Sequence, residues 1–413
     1  MAHSTRLKAD DKAAVLAAAR KHKAEDKVPL LAHATMRWGR KINGRLHYFG
    51  KVDPALPDFG AGAALAEYHR TVDDLRAGRK PRPKDDDRTT LADAANKFLS
   101  AKADLRDSGE IRPCTWTQYH DTCSRILGVL GKHRAVADLT PDDFRKLRTA
   151  LAKGRGPVAL AGHMRRARVF FRYCDTDELI DRPCRFGASF DLPSPKTLRQ
   201  ARAARGSRMF EPHEIRQLLD VAEPIMQAMI LLGVNAGFGQ SDLARLTLSA
   251  LDFAGGWIDY ARPKTGIGRR VPLWRETIDA VQAAVAARPE PKDSGDRDLV
   301  FLTATGLPIV RDPLAQKKDQ AAAGLTTHVD TVSRRFPKLM LKAGLNGNRG
   351  FYALRHTFQT VAEECGDFPA VGSIMGHHDG SMAGRYRERI GDDRLRKVVD
   401  YVHGWLFDDK AAE

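Results

Sequence analysis

Three short runs near the C-terminus hold the side chains best suited to chemistry. Phe351-Tyr352-Ala353-Leu354-Arg355-His356-Thr357-Phe358 carries a guanidinium beside an imidazole, and Ile374-Met375-Gly376-His377-His378 adds two more imidazoles. Met382-Ala383-Gly384-Arg385-Tyr386 then ends on a phenol, nine residues after His377. A tyrosine hydroxyl can serve as a covalent nucleophile. Each residue also has a plainer use. A tyrosine near a C-terminus is more often a packing residue, and Lys264, in a turn further upstream, would usually be solvated. His356, His377 and His378 suggest a metal, but no carboxylate or cysteine sits at ligand spacing, so no metal site is expected. His356 reads as a buried structural histidine behind Arg355.

The ordered set carries more than its pieces. The Leu-Arg-His-Thr-Phe run, the Met-Gly-His turn and the tyrosine nine residues on resemble the catalytic domain of the tyrosine recombinases, the phage integrase family. The resemblance covers roughly residues 209–405. It implies that Tyr386 attacks a DNA phosphodiester, forming a 3′-phosphotyrosine and freeing a 5′-hydroxyl. A second strand's 5′-hydroxyl then reverses the step, which is site-specific recombination or integration. Arg355 aligns with the family's second arginine, a clamp on the phosphate. Lys264 aligns with its general-acid lysine, and His377 with the histidine or tryptophan that bonds the scissile phosphate. Tyr352 replaces a histidine and can still donate a hydrogen bond. A phosphotyrosine stores the phosphodiester's free energy, so no cofactor is implied. Double-stranded DNA is the implied partner, with self-association to a tetramer in synapsis.

One departure stands out. The family's first arginine lies in a pattern like Gly-Leu-Arg-x-Ser-Glu-Leu. Here Gly237-Phe238-Gly239-Gln240-Ser241-Asp242-Leu243 puts Gly239 in its place and keeps the acid as Asp242. One guanidinium on a transferring phosphoryl group can supply ~10³–10⁵ in rate. Arg245, six residues on, would face away on a helix. Arg269 and Arg270, beside the hairpin, are the candidates to take over. The rival reading is a recombinase-fold DNA-binding protein with lost or partner-dependent catalysis. A type IB topoisomerase would use a similar site.

The elements that must position these residues read as mainly α with small β elements, a multi-domain DNA clamp. Residues 1–85 are expected to form a basic arm-binding-like domain. Asn43-Gly44 is a type I′ hairpin dipeptide, flanked by Trp38, Ile42, Leu46, Tyr48 and Phe49 and loaded with Arg37, Arg40, Lys41 and Arg45. A helix follows over 61–75. Residues 79–88 read as a linker. Residues 89–192 read as about four helices. One begins at Thr140-Pro141-Asp142-Asp143, with Thr as N-cap and Pro at N1. Another, roughly Val158–Cys174, carries Arg165, Arg166, Arg168 and Arg172. Residues 193–208 read as a basic linker, and 209–413 as the catalytic domain. There, Pro224 divides one apolar stretch into two helices. Gly255–Tyr260 and Arg269–Leu273 form two strands joined by Arg262-Pro263-Lys264-Thr265-Gly266-Ile267-Gly268.

Composition agrees with that partner. Lys and Arg exceed Asp and Glu by 68 − 52 = 16 over 413 residues, and the pI is about 9.7. Such an excess favours a polyanion and salt-sensitive association. The five cysteines are odd in number and widely spaced. They make no disulfide framework and contain no zinc-like pair, which fits a cytoplasmic protein. Ala13–Ala19 is too short for a secretory leader and runs straight into Arg20, Lys21 and Lys23. Ile225–Phe238, the most apolar stretch, is too short to span a bilayer.

Overall fold

The computed structural model describes residues 9–25, 28–78, 81, 87–204, 206–346 and 349–408. The chain divides into two compact units, Met1–Ala201 and Arg202–Glu413.

The first unit holds two separate hydrophobic clusters. In its N-terminal part, α1 (Ala9–Glu25) precedes an antiparallel sheet of β1 (Leu31–His33), β2 (Arg37–Ile42) and β3 (Arg45–Lys51), followed by α2 (Ala61–Arg76). Asn43 and Gly44 turn the hairpin with φ of 48° and 81°, the pair of positive values that a type I′ turn needs. Trp38 is fully buried beneath the sheet and its indole N–H donates to Phe59 O at 2.9 Å. Neither α1 nor β1 was expected. The α1 sequence has no marked apolar stripe, and of its described side chains only Leu16 and Ala19 are buried. Of the expected linker over 79–88, residues 79, 80 and 82–86 lie outside the described residues.

The second cluster of this unit lies among α3 (Leu91–Asp107), α4 (Pro113–Leu130), α5 (Pro141–Ala152) and α6 (Pro157–Thr176). Thr140 opens α5 as expected, with Asp143 accepting from the Thr140 N–H at 2.9 Å and from its hydroxyl at 2.7 Å. Asp143 is itself buried and pairs with Arg134 at 2.6 Å. The interval 193–208, expected as a bare linker, contains a further helix, α7 (Pro195–Ala203), opened by Ser194 Oγ accepting from Thr197 N.

The second unit folds around α9 (Pro224–Asn235), buried along most of its length, with α8 (Pro212–Val221) before it. Pro224 separates the two helices as expected. Next come the short α10 (Gln240–Leu243) and a sheet of β4 (Leu251–Asp252), β5 (Trp257–Asp259) and β6 (Arg270–Pro272). β5 and β6 are the expected hairpin, with Ile258 opposite Val271. α11 (Arg275–Ala286) packs on α9. A small pair, β7 (Val310–Arg311) and β8 (Val329–Asp330), encloses α12 (Lys318–Ala322). Five helices finish the unit: α13 (Thr331–Lys342), α14 (Ala353–Glu363), α15 (Phe368–Ile374), α16 (Met382–Tyr386) and α17 (Asp392–Phe407). No helix among the described residues is long and apolar enough to cross a membrane.

Candidate active site

The site is assembled where α9, the β5–β6 hairpin and the α14 and α15 ends meet. Asn235, at the end of α9, locks the hairpin in place. Its buried amide donates to Pro272 O at 3.1 Å and its carbonyl accepts from Trp274 N at 3.0 Å. Within the apolar stretch Ile225–Phe238, Asn235 carries no sequence signal for this role. Thr357, inside the Leu-Arg-His-Thr-Phe run, fixes α14 by accepting from Phe210 N at 2.9 Å.

Arg355 sits at the centre. It is 2% exposed. Its terminal nitrogens donate to Gly237 O, to Met375 O at 2.9 Å and to His377 Nε2 at 3.1 Å. Arginine only donates, so the His377 Nε2 it faces must be the unprotonated nitrogen and the ring proton belongs on Nδ1. Burial, then Arg355 and Arg262, hold the His377 pKa below the ordinary histidine value. Burial, and next Arg262, also lower that of Arg355. The structure therefore brings Arg355 and His377 together as a preformed hydrogen-bonded pair.

The hairpin turn is pinned beside them, with Thr265 Oγ1 donating to Gly376 O at 3.2 Å. Lys264, one residue earlier, is exposed. Gly376 has φ of 61°, and a β-carbon there would come within 3.1 Å of Arg262 and Arg269 atoms. Only glycine lets both side chains pass.

The three guanidinium groups on or beside this hairpin differ. Arg270, one expected replacement for the missing first arginine, is held outward by Asp259 at 2.6 Å and Asp392 at 3.1 Å, and lies over Trp257. That expectation is corrected, because β6 alternates its side chains and 270 points away from Gly376. Arg269 is 3% exposed and reaches Asp242 at 3.1 Å. It is stacked on Phe238 and Tyr260, and neither terminal nitrogen aligns for a hydrogen bond. Burial pulls its pKa down to about 10, so it stays charged at neutral pH. Arg262, one residue of the loop between the two strands, is 8% exposed and donates to Gly376 O at 3.4 Å. Its one sequence signal was its place two residues before Lys264.

Gly239 opens α10, with its N–H donating to Asp242 Oδ2 at 2.9 Å. The helix ends at Leu243, so Arg245 lies past it and is exposed. Tyr352 is 44% exposed, its ring lying against Gly239. His356, expected to be buried behind Arg355, is only half-buried and meets Tyr352 edge-on, with centroids 5.4 Å apart.

Tyr386 closes α16, which Ser381 caps by accepting from Gly384 N at 3.0 Å. Arg387 anchors the segment on Asp379 at 2.8 Å. Hydrogen bonds from Ser381, then Arg387, hold the Asp379 pKa down at about 2. The phenol itself is 80% exposed. The Tyr386 side chain makes no hydrogen bond, ion pair or ring contact among the described residues, the His377–Arg355 pair included. Nor does any group of His, Cys, Asp and Glu among the described residues have the arrangement of a metal site.

The basic residues of the first unit separate into two kinds. Arg37, Lys41, Arg45, Arg165 and Arg172 are exposed. Arg40 lies over the Tyr68 ring, and Arg166 bonds Gln118 and His163. Arg168 donates to Phe190 O at 2.7 Å, pairs with Asp191 at 3.1 Å and lies over Phe186, so it fastens the 186–191 segment to α6.

Residues 208–390 match the family model described as the phage integrase family. Tyrosine recombinase XerC of Proteus mirabilis is 27% identical over 198 residues, 46% of this chain and 57% of that protein. The chain thus aligns with little more than half the length of that curated relative. The Tn1549 transposon integrase, solved with a circular intermediate DNA, superposes with a TM-score of 0.52 at 19% identity, over 75% of this chain and 99% of that one. A lambda integrase tetramer bound to a Holliday junction gives 0.53 at 16% identity, over 89% and 98%. At these identities the structural likeness is one of fold: mainly helical, with small sheets.

Proposed function

We propose that this chain, whose residues 208–390 form a domain of the phage integrase family, recombines duplex DNA at specific sites through a 3′-phosphotyrosine. The observation that carries this reading is the buried Arg355 donating to His377 Nε2, with Tyr386 following on the next short helix. Tyr386 Oη attacks the phosphorus and loses its proton to solvent or a nearby base. The phosphorus–O5′ bond breaks, and Lys264 delivers a proton to the departing 5′-oxygen. Arg355 and the His377 Nδ1–H stabilise charge on the nonbridging oxygens. A 5′-hydroxyl from a second strand reverses the sequence, so the bond energy is conserved without a nucleotide. Tyr352 borders the site from Gly239. The exposed α16 suits a nucleophile that must swing onto a bound backbone.

The excess of 16 positive charges suits a polyanion. Arg37, Lys41 and Arg45 in residues 1–85, and Arg165 and Arg172 in 89–192, are the proposed phosphate contacts. Residues 193–208 link this part to the catalytic domain at 209–413. Recombination requires two duplexes, so the chain is proposed to assemble with copies of itself on DNA. It would work in the cytoplasm, where its five free cysteines stay reduced.

The test is incubation with candidate attachment DNA, followed by a denaturing gel. A protease-sensitive covalent adduct is expected. Gly239 favours a second reading, a DNA-binding protein with weakened or partner-dependent catalysis; sequence-specific binding without any adduct would select it.

A further inference from the structure

We infer that Arg262 supplies the second guanidinium of the phosphate site, in place of the arginine that position 239 lacks. The inference rests on the function proposed above and assigns a catalytic residue to it.

Arg262, Arg269 and Arg355 are 8%, 3% and 2% exposed, and Arg269 and Arg355 both feel the charge of the buried carboxylate Asp242. Asp242 is matched to Arg269 at 3.1 Å. The Arg269 side chain is wholly enclosed, its planar face taken by Phe238 at 4.3 Å and Tyr260 at 5.1 Å. It neutralises Asp242 and, although neither terminal nitrogen makes a hydrogen bond, it has no exposed surface to offer a substrate. Arg270 is committed to Asp259 and Asp392. Arg262 and Arg355 are left as two buried cations without a carboxylate partner among the described residues.

They are also neighbours. Arg355 donates to Met375 O at 2.9 Å, and Arg262 to the next carbonyl, Gly376 O, at 3.4 Å. Arg262 Nε is buried with no partner among the described residues. Arg262 helps depress the pKa of both Arg355 and His377, which places its charge beside that pair. Two like charges out of water are costly unless an anion joins them. A phosphodiester brings one negative charge and two nonbridging oxygens, enough for a guanidinium on each. Arg262 also sits two residues before Lys264, so one pinned turn carries both the second guanidinium and the proposed acid. The route from position 239 is meanwhile filled by the Tyr352 ring.

The test uses the full chain and a nicked duplex that the wild type itself selects from randomised DNA. Adduct formation is followed in single turnover on a normal scissile phosphate and on a neutral methylphosphonate at that position. Arg262→Ala should lose about 10³-fold or more in rate on the phosphate, with melting temperature near wild type and DNA affinity reduced far less than the rate. The deficit should largely vanish on the methylphosphonate, which has less charge to stabilise. Arg262→Lys keeps the charge and should fall between; it carries the comparison if the alanine variant fails to fold. A wild-type rate for Arg262→Ala overturns the inference. So does a deficit equal on both substrates, which marks a structural role. If the wild type forms no adduct on either substrate, the proposed function fails first, which is a separate result.

Discussion

The Tyr352 ring lies so close over Gly239 that a β-carbon at 239 would stand 3.0 Å from Cε2 and 3.1 Å from Cδ2. The two departures from the family pattern, glycine for arginine and tyrosine for histidine, therefore occupy one space. Gly239→Arg has to displace the ring before its guanidinium can reach anything. It should cost about 1–3 kcal/mol of stability, as overpacking does, and should not speed cleavage. Combining it with Tyr352→His should recover part of that loss, with a coupling of at least about 0.5 kcal/mol. Urea melts of the two single variants and the double variant decide this; strictly additive effects would break the link.

Tyr386→Phe should bind DNA as the wild type does and form no adduct. The phenol oxygen is exposed and makes no hydrogen bond among the described residues, so its removal leaves the fold intact. An adduct that persists in this variant would place the nucleophile elsewhere.

Protonation of His377 should switch the site off in acid. Burial and the two arginines lower its pKa, so the neutral ring that accepts from Arg355 persists below ~6.5, the ordinary histidine value. Activity should hold through pH 6.5 and fall only at lower pH. His377→Gln should remove that acid limb. An NMR titration of His377 with a midpoint above 6.5 would contradict the arrangement.

Asp143 is a stability residue of the first unit. Burial alone would raise its pKa, but Arg134 and the Thr140 amide and hydroxyl outweigh that and hold it below the carboxylate range. A depressed carboxylate contributes stability above its unfolded value of ~3.9, and that contribution is lost as pH falls further. Arg134→Ala leaves a buried carboxylate unpaired and should cost about 3 kcal/mol. The denaturation midpoint of the first unit, followed against pH, checks both statements.

Salt dependence should sort the basic residues of the first unit. Removing Arg165 or Arg172 should weaken DNA binding and reduce the log–log salt slope by about 0.9 per lost contact. Arg168→Ala should instead lower the melting temperature, because that guanidinium holds the 186–191 segment. Deleting residues 1–85 should reduce both affinity and slope. An unchanged slope would mean that Arg37, Lys41 and Arg45 do not touch phosphate.

Local rules made much of this chain legible. Asn43-Gly44 announced its turn, Thr140-Pro141 its helix start and Pro224 its helix break, because each depends on backbone preferences within a few residues. The ordered spacing of Arg355, His377 and Tyr386 likewise pointed to one family, since spacing on short helices and turns is itself local. What α1 does was hidden, because a helix with almost no apolar stripe gives no periodic signal. Tertiary structure alone decided which cations are free. Arg262, Arg269 and Arg270 lie within nine residues of one another on a basic hairpin and look equivalent in sequence. One points outward to two aspartates, one is spent on Asp242, and one stands unpaired beside Arg355. The difference comes from strand alternation and from Asp242 and Gly376, brought in from elements far along the chain. Charge pairing is a property of distance in space, which no single run of residues contains.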